Sequence, residues 1–219
     1  AKQFMLLKGK PLIWYSLNTV ENSPVIDECI LVTAEKDIDY MRCEIIEKYG
    51  FHKVSAVVPG GSERWESVAN AVQTLEDRKP VKESYVFIHD GARPFLTEEV
   101  LERVYQAVKE HPACVAAMPS KDTVRLADES GFAKSTPDRR SVWIIQTPQV
   151  FEAGLLIKAY AELRERADRL GRENIAVTDD AGVVELFTEQ RIRLVEGSYD
   201  NIKVTTPGDM KIAEAFLEA

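Results

Sequence analysis

The stretch Tyr85-Val86-Phe87-Ile88-His89-Asp90-Gly91-Ala92-Arg93-Pro94-Phe95 most constrains what this chain can fold into. Tyr85 to Ile88 form an unbroken apolar run, the pattern of a central parallel strand buried on both faces. His89 and Asp90 end that run, Gly91 permits a tight turn, and Pro94 stops the strand from continuing. Thr97-Glu98-Glu99 then opens a helix, with a capping hydroxyl followed by acidic residues in the first turn. In open α/β sheets ligands bind outside the carboxyl ends of the strands, where Asp90 and Arg93 project. Taken alone, the stretch fits a structural ion pair between these two residues equally well.

The flanking sequence repeats the same alternation. Pro11 to Val20 reads as a helix with proline in its first turn, and Cys29 to Val32 as a short strand. Asp37 to Tyr49 is amphipathic, with Ile38, Met41, Ile45, Ile46 and Tyr49 on one stripe. Val54 to Val58 is a strand broken by Pro59-Gly60-Gly61, and a helix follows from about Glu63 to Leu75. After the Tyr85 strand come a helix from Thr97 to Glu110 and a strand from Cys114 to Met118. Alternation at this spacing predicts an α/β fold, a mostly parallel sheet with helices on both faces.

Between about 121 and 141 the pattern changes. Thr123 to Leu126 and Phe132 to Lys134 flank Asp128-Glu129-Ser130-Gly131, which is hairpin-loop chemistry in a segment too polar for the core. It reads as a projecting β-arm, and an exposed two-stranded arm calls for a partner subunit to cover it. Val142 to Ile145 resumes the sheet and ends at Gln146-Thr147-Pro148-Gln149. A long helix spans Ala153 to about Leu170, Thr178-Asp179-Asp180 opens a shorter one, and Ile192–Val195 and Ile202–Val204 read as the last strands. Thr206-Pro207-Gly208-Asp209 is a helix start with a capping hydroxyl, a first-turn proline and an acid three residues on. No repeat or linker divides residues 1–219, so one domain is expected. The chain opens without Met, a buried strand or a glycine-rich turn, so the native protein is expected to extend further towards its N-terminus.

A net charge of −8 argues against a general nucleic-acid binder, although a local basic pocket for one phosphorylated small molecule remains compatible with it. No apolar run is long enough to span a membrane. The three cysteines, Cys29, Cys43 and Cys114, are scattered and show no metal-ligand spacing. Thiols in strand-like runs point to a reducing cytoplasm.

Four polar groups recur at strand ends or turns. Pro59-Gly60-Gly61-Ser62-Glu63-Arg64, followed by Ser67, lets a backbone approach a base edge or phosphate closely, and equally suits a plain turn. The Asp90/Arg93 loop is the second. Thr178-Asp179-Asp180 is the third, where at least one acid is expected only to complement the helix dipole. Asn201-Ile202-Lys203 is the fourth, its lysine either functional or a snorkelling surface residue. Lys2, Arg93, Arg139 and Lys203 can converge as cations around phosphates. Neither a Ser/His/Asp arrangement nor metal-protease spacing occurs, so phosphate chemistry, which depends on positioning and charge neutralisation, fits better than hydrolysis.

Seven motifs stand in order: Lys2-Gln3-Phe4, Gly60-Gly61-x-x-Arg64-x-x-Ser67-Val68, His89-Asp90-Gly91-Ala92-Arg93-Pro94, Lys121-Asp122-Thr123, Gln146-Thr147-Pro148-Gln149, Thr178-Asp179-Asp180-Ala181 and Asn201-Ile202-Lys203-Val204-Thr205. Together they closely resemble the 2-C-methyl-D-erythritol 4-phosphate cytidylyltransferases of the non-mevalonate isoprenoid pathway. The resemblance implies a Rossmann-like nucleotidyltransferase fold, a homodimer exchanging β-arms, and CMP transfer from CTP to a sugar-alcohol phosphate with Mg²⁺. Matched motif by motif, it puts Gly61, Ser62 and Ser67 at the cytosine, with Gly60 and Asp90 also in the nucleotide site, although relatives often carry an acid where Ser62 stands. Gly91 lies by the ribose. Asp90, Arg93, Thr178 and Lys203 hold the sugar phosphate, joined by Thr123 and Arg139 of a partner's arm. Lys2 and Lys203 are the catalytic cations, and Asp90 is the candidate metal contact. The family's glycine-rich loop would precede Lys2. Its absence here implies a chain without part of its triphosphate cradle.

Three alternatives stay open. A ribitol 5-phosphate cytidylyltransferase shares the fold and most motifs, with Ser67-Val68, Ala92 and Ala181 leaning away from it. A non-catalytic nucleotide-binding module would not need Lys2, Asp90, Arg93 and Lys203 together. A dinucleotide oxidoreductase lacks its Gly-x-Gly-x-x-Gly turn in this sequence.

Overall fold

The computed structural model describes residues 2–81, 83–172 and 177–218, with residues 168–172 described by backbone alone. It is an α/β protein. A tight hairpin of β1 (Leu6–Leu7) and β2 (Lys10–Pro11) leads into α1 (Leu12–Asn22), with Pro11 at its N-cap. Then come β3 (Cys29–Thr33), α2 (Ile38–Tyr40) running on into a π-helical stretch (Met41–Glu47), β4 (Val54–Pro59) and α3 (Arg64–Asp77). β5 (Tyr85–Ile88), α4 (Glu98–Glu110) and β6 (Ala113–Pro119) follow. The arm is β7 (Leu126–Ala127) with β8 (Ala133–Ser135). β9 (Trp143–Glu152), α5 (Ala153–Arg172), α6 (Asp180–Phe187), β10 (Arg193–Glu196) and α7 (Pro207–Phe216) complete the chain.

The larger sheet has the order β10-β6-β9-β5. β10 is parallel to β6, and β9 runs antiparallel to both β6 and β5, so three of its four strands share one direction. β3 and β4 form a separate parallel pair. The centre of the larger sheet belongs to β6, whose residues Ala113 to Ala117 are all 0 % exposed. Its two-residue period sends Ala113 and Val115 to α5 and α6, and Cys114 and Ala116 to α4. On α4, Val100, Leu101, Val104 and Val108 make the buried stripe; each such side chain contributes about 1.5–3 kcal/mol.

Several expectations from sequence are corrected here. Tyr85–Ile88 is half-buried and, among the described residues, pairs only with β9, so it is an edge strand. A continuous apolar run marks two covered faces but cannot reveal how many strand neighbours it will have. β9 does not stop at Gln146 but runs through Pro148 to Glu152. It tolerates that proline because the ladder slips between Val115 and Ala117, opposite Gln146–Pro148. Among the described residues Ile202–Val204 joins no ladder; Val204 instead donates its N–H to the Ala92 carbonyl at 2.8 Å. The amphipathic stripe after Asp37 buries Met41 and Ile45 as expected, but on a π-helical stretch rather than a plain α-helix.

The caps follow the sequence. Thr97 accepts from Val100 N–H, and Thr206 and Asp209 form a reciprocal capping box at α7.

Candidate active site

The loop after β5 is closed by a chain of side-chain hydrogen bonds. His89 is partly buried, its Nε2 3.1 Å from the Arg93 carbonyl oxygen and its Nδ1 3.0 Å from Thr147 Oγ1. The carbonyl can only accept, so Nε2 carries the proton and Nδ1 accepts from the threonine hydroxyl. Thr147 Oγ1 in turn accepts the Asp90 N–H at 3.1 Å. Burial holds His89 neutral, with its pKa down at about 4. The ladder slip in β9 is what delivers Thr147 to this loop. Gly91 lies against α1, where an added Cβ would sit 3.1 Å from Ile13 Cδ1.

The segment 197–205 packs on the same loop. Arg93 Nη1 donates to the Asn201 carbonyl at 2.7 Å, and buried Asn201 donates from Nδ2 to the Thr147 carbonyl at 2.8 Å. Gln146 anchors the segment from the other side, donating to the Ser198 carbonyl at 2.7 Å. These bonds direct Lys203 to Asp90, with Nζ 2.8 Å from Oδ2. Burial opposes the Asp90 charge, but the Lys203 hydrogen bond and the charges of Lys203 and Arg64 outweigh it, leaving the carboxyl below its ordinary pKa.

The glycine turn between β4 and α3 meets this centre through Arg64, the first residue of α3. Gly61 N–H bonds Ser67 Oγ at 3.0 Å, while the Ser62 N–H and hydroxyl both reach Glu66 Oε2 at 2.6 Å. Glu63 and Glu66 form a capping box, which holds the turn rigid and leads directly into Arg64. Arg64 makes a two-pronged pair with Asp180, at 3.1 and 2.6 Å, and its Nε stands 3.6 Å from Asp90 Oδ1. Asp180 is fully buried and also accepts from Tyr160 at 2.6 Å. Its charge raises the pKa of Arg64 against the opposing effect of burial.

Of the residues singled out from sequence, the structure gathers Gly60, Gly61 and Ser62 in one turn with Ser67 bonded to it, and brings Lys203 onto the loop of Asp90, Gly91 and Arg93; Arg64 links the two. Lys2 Nζ donates to the Thr205 carbonyl at 2.7 Å, two residues beyond Lys203. Thr178 is exposed just before α6. Asp179 is the N-cap of α6, accepting from Gly182 N–H at 2.9 Å, as a dipole-complementing acid would. Thr123 and Arg139 sit on the exposed arm and its base; among the described residues neither bonds to the Asp90 centre in the same chain.

Sequence reasoning passed over Arg64, Asp180, Tyr160 and Thr147. Arg64, Asp180 and Thr147 were visible inside motifs, but no spacing rule pairs residues separated by 20 (Tyr160–Asp180), 58 (His89–Thr147) or 116 positions (Arg64–Asp180).

Around Asp90 and Asp180, Arg64, Arg93 and Lys203 supply three cations against two carboxylates, a locally positive spot on a chain of net charge −8. Such a spot seats phosphate oxygens. Among the described residues no group of three His, Cys, Asp or Glu side chains could hold a metal ion. Asp90 is a single carboxylate already facing cations. A metal there would have to arrive with oxygen ligands of its own.

Comparisons with known proteins point to one family. The family model described as "IspD: 2-C-methyl-D-erythritol 4-phosphate cytidylyltransferase" matches residues 1–219. A curated protein of that name from Lachnospira eligens is 45 % identical over 217 residues, covering 99 % of this chain and 91 % of its own length. Another from Lachnoclostridium phytofermentans is also 45 % identical, covering 99 % and 88 %. The solved structure of 4-diphosphocytidyl-2C-methyl-D-erythritol synthase from Anaerococcus prevotii superposes with a TM-score of 0.82 at 32 % identity, covering 98 % of this chain and 88 % of the other. With the family model matching from end to end, the chain belongs to the 2-C-methyl-D-erythritol 4-phosphate cytidylyltransferase family.

Proposed function

We propose that this chain transfers CMP from CTP to 2-C-methyl-D-erythritol 4-phosphate, releasing pyrophosphate, in isoprenoid precursor biosynthesis. The observation that carries this reading is the meeting of Arg64, Arg93 and Lys203 at Asp90. It joins the end of the glycine turn, suited to a base, to a cationic loop suited to phosphates.

The acceptor's phosphate oxygen is already an anionic nucleophile near neutral pH, so no strong general base is needed. It would attack the α-phosphorus of CTP in line. A new P–O bond forms, and the bond to the β-phosphate oxygen breaks as pyrophosphate leaves with the electron pair. Lys203 and Lys2 would neutralise charge growing on the α-phosphoryl group. Asp90 would hold Lys203 in place, and Arg93 and Thr178 would take the acceptor phosphate. Gly60, Gly61, Ser62 and Ser67 would border the cytosine, and Gly91 the ribose.

Mg²⁺ is the cofactor of this reading. Asp90 would be the one protein carboxylate to hold it, since Mg²⁺ is commonly held by one or two carboxylates plus substrate phosphates. When bound it would supply further charge neutralisation.

The same reading makes the enzyme a homodimer that exchanges β-arms, bringing Thr123 and Arg139 to the partner's acceptor. Exposed Leu126, Phe132, Ile144 and Ile145 on and beside the arm support an apolar partner surface. The three free cysteines, two with pKa values pushed up to about 11 by burial, support a reducing cytoplasm as its compartment.

The test is pyrophosphate release by the full-length protein with CTP, Mg²⁺ and each of methylerythritol 4-phosphate and ribitol 5-phosphate. Release with the first alone is expected. Release with ribitol 5-phosphate alone would transfer the enzyme to that acceptor, and release with neither would overturn the reaction.

A further inference from the structure

We infer that Asp180 and Tyr160 are positioning residues for the reaction, acting through Arg64 on the Asp90–Lys203 pair. The inference rests on the reaction proposed above, but its supporting geometry is independent of any substrate.

Asp180 is fully buried, and all its observed side-chain partners are functional in shape. Arg64 contributes both terminal nitrogens, at 3.1 and 2.6 Å, and Tyr160 its hydroxyl at 2.6 Å. A buried carboxylate is costly unless paired and hydrogen-bonded, and here the pairing is complete. Tyr160 is itself fully buried on α5, so it fixes the carboxylate's orientation from the core side.

The consequence falls on Arg64. With both Nη atoms committed to Asp180, only Nε faces Asp90, at 3.6 Å from Oδ1, too long for a hydrogen bond. Asp90 Oδ2 is thereby left to Lys203 at 2.8 Å. Arg93, with its Nη1 bonded to the Asn201 carbonyl, faces Oδ2 through Nε at 3.9 Å, also too long for a hydrogen bond. Between Arg64 and Lys203, Asp180 therefore decides which cation holds the Asp90 carboxylate. Without its charge, the two-pronged face of Arg64 is free to swing onto Asp90, where a guanidinium outcompetes an ammonium for a carboxylate. Lys203 would then lose its anchor.

The turn that leads into Arg64 is held by its own Glu63/Glu66 capping box, which does not involve Asp180. Nucleotide binding should thus be spared while acceptor turnover suffers.

The experiment is a double-mutant cycle on the full-length protein with Asp180→Asn, Arg64→Gln and the pair, reading kinetics for each substrate separately. The expected result for Asp180→Asn is a fall of about tenfold or more in kcat/KM for the acceptor, with the KM for CTP within about twofold. In the Arg64→Gln background the same substitution should cost almost nothing more. Should Asp180→Asn fail to fold, Tyr160→Phe replaces it in the cycle, removing one hydrogen bond and leaving the ion pair. A fall of about threefold in the same parameter, again absent with Arg64→Gln, is then expected. Unchanged acceptor kinetics, or losses that simply multiply, would overturn the relay while an active wild type keeps the reaction. An inactive wild type would overturn both.

Discussion

The imidazole of His89 donates to the carbonyl oxygen of Arg93 across 3.1 Å and so closes the loop that carries Asp90 and Arg93. The Thr147 hydrogen bond requires the neutral ring, because there Nδ1 must accept from the hydroxyl. Protonation would place a second donor against the threonine hydroxyl and a charge in a buried site.

That arrangement predicts a pH dependence of stability. His89 has a folded pKa of about 4 against an ordinary value of 6.5, so between these values the unfolded chain binds a proton that the native state does not. Stability from this residue is present above pH 6.5 and drains as pH falls towards about 4, by about 3 kcal/mol in total. Denaturant midpoints at pH 7 and pH 4.5 should show the loss in the wild type and a smaller one in His89→Gln, whose amide can still donate to Arg93. Equal losses in both proteins would remove His89 as the cause.

Lys203→Ala should abolish most turnover without unfolding the protein. The side chain is 43 % exposed, so its loss should change stability by no more than about 1 kcal/mol. Removing a cation that faces the developing phosphoryl charge typically costs a few kcal/mol of transition-state stabilisation, roughly hundreds-fold in rate. Steady-state kinetics beside a thermal melt decides this, and near-normal turnover would remove the lysine from its role.

Gly61→Ala should be worse than Gly60→Ala. A Cβ on Gly61 would lie 2.2 Å from Glu66 Cβ, a near-rigid neighbour, whereas on Gly60 it would meet Ser67 Oγ at 3.0 Å, an atom that can rotate. The first substitution should cost about 1–3 kcal/mol and raise the KM for CTP, because the turn must open to accept it. A Gly61→Ala protein with the wild-type KM would show that the turn does not border the nucleotide.

Phe132→Asp tests the arm. Phe132 is 73 % exposed in the single chain, so a monomer should tolerate the change to within about 0.5 kcal/mol. A dimer that buries it should weaken, visible by sedimentation as a shift towards monomer with a parallel loss of acceptor turnover. Unchanged sedimentation would place the arm outside the subunit contact.

Residue order alone determined much of this protein. Helix starts at Thr97 and Thr206, the turn at Gly60-Gly61, the arm around Asp128–Gly131 and the Asp90 loop were legible because each depends on a few neighbouring residues. Capping, turn geometry and hydrophobic period all act over one or two turns of chain. The seven ordered motifs carried the family because each marks such a local structure.

Tertiary structure decided the rest. That β9 runs antiparallel through Pro148, and that Tyr85–Ile88 lies at a sheet edge among the described residues, follow from which strands meet, and an apolar run reads alike in both settings. The chain of contacts from Tyr160 through Asp180 and Arg64 to Asp90 depends on α3, α5 and α6 packing around one sheet. Each of those residues has an ordinary local reading: a helix-start arginine, a first-turn acid, a core tyrosine. Only burial turns them into a single charge network, because an ion pair gains its directing strength where water is excluded and its partners are brought from distant parts of the chain.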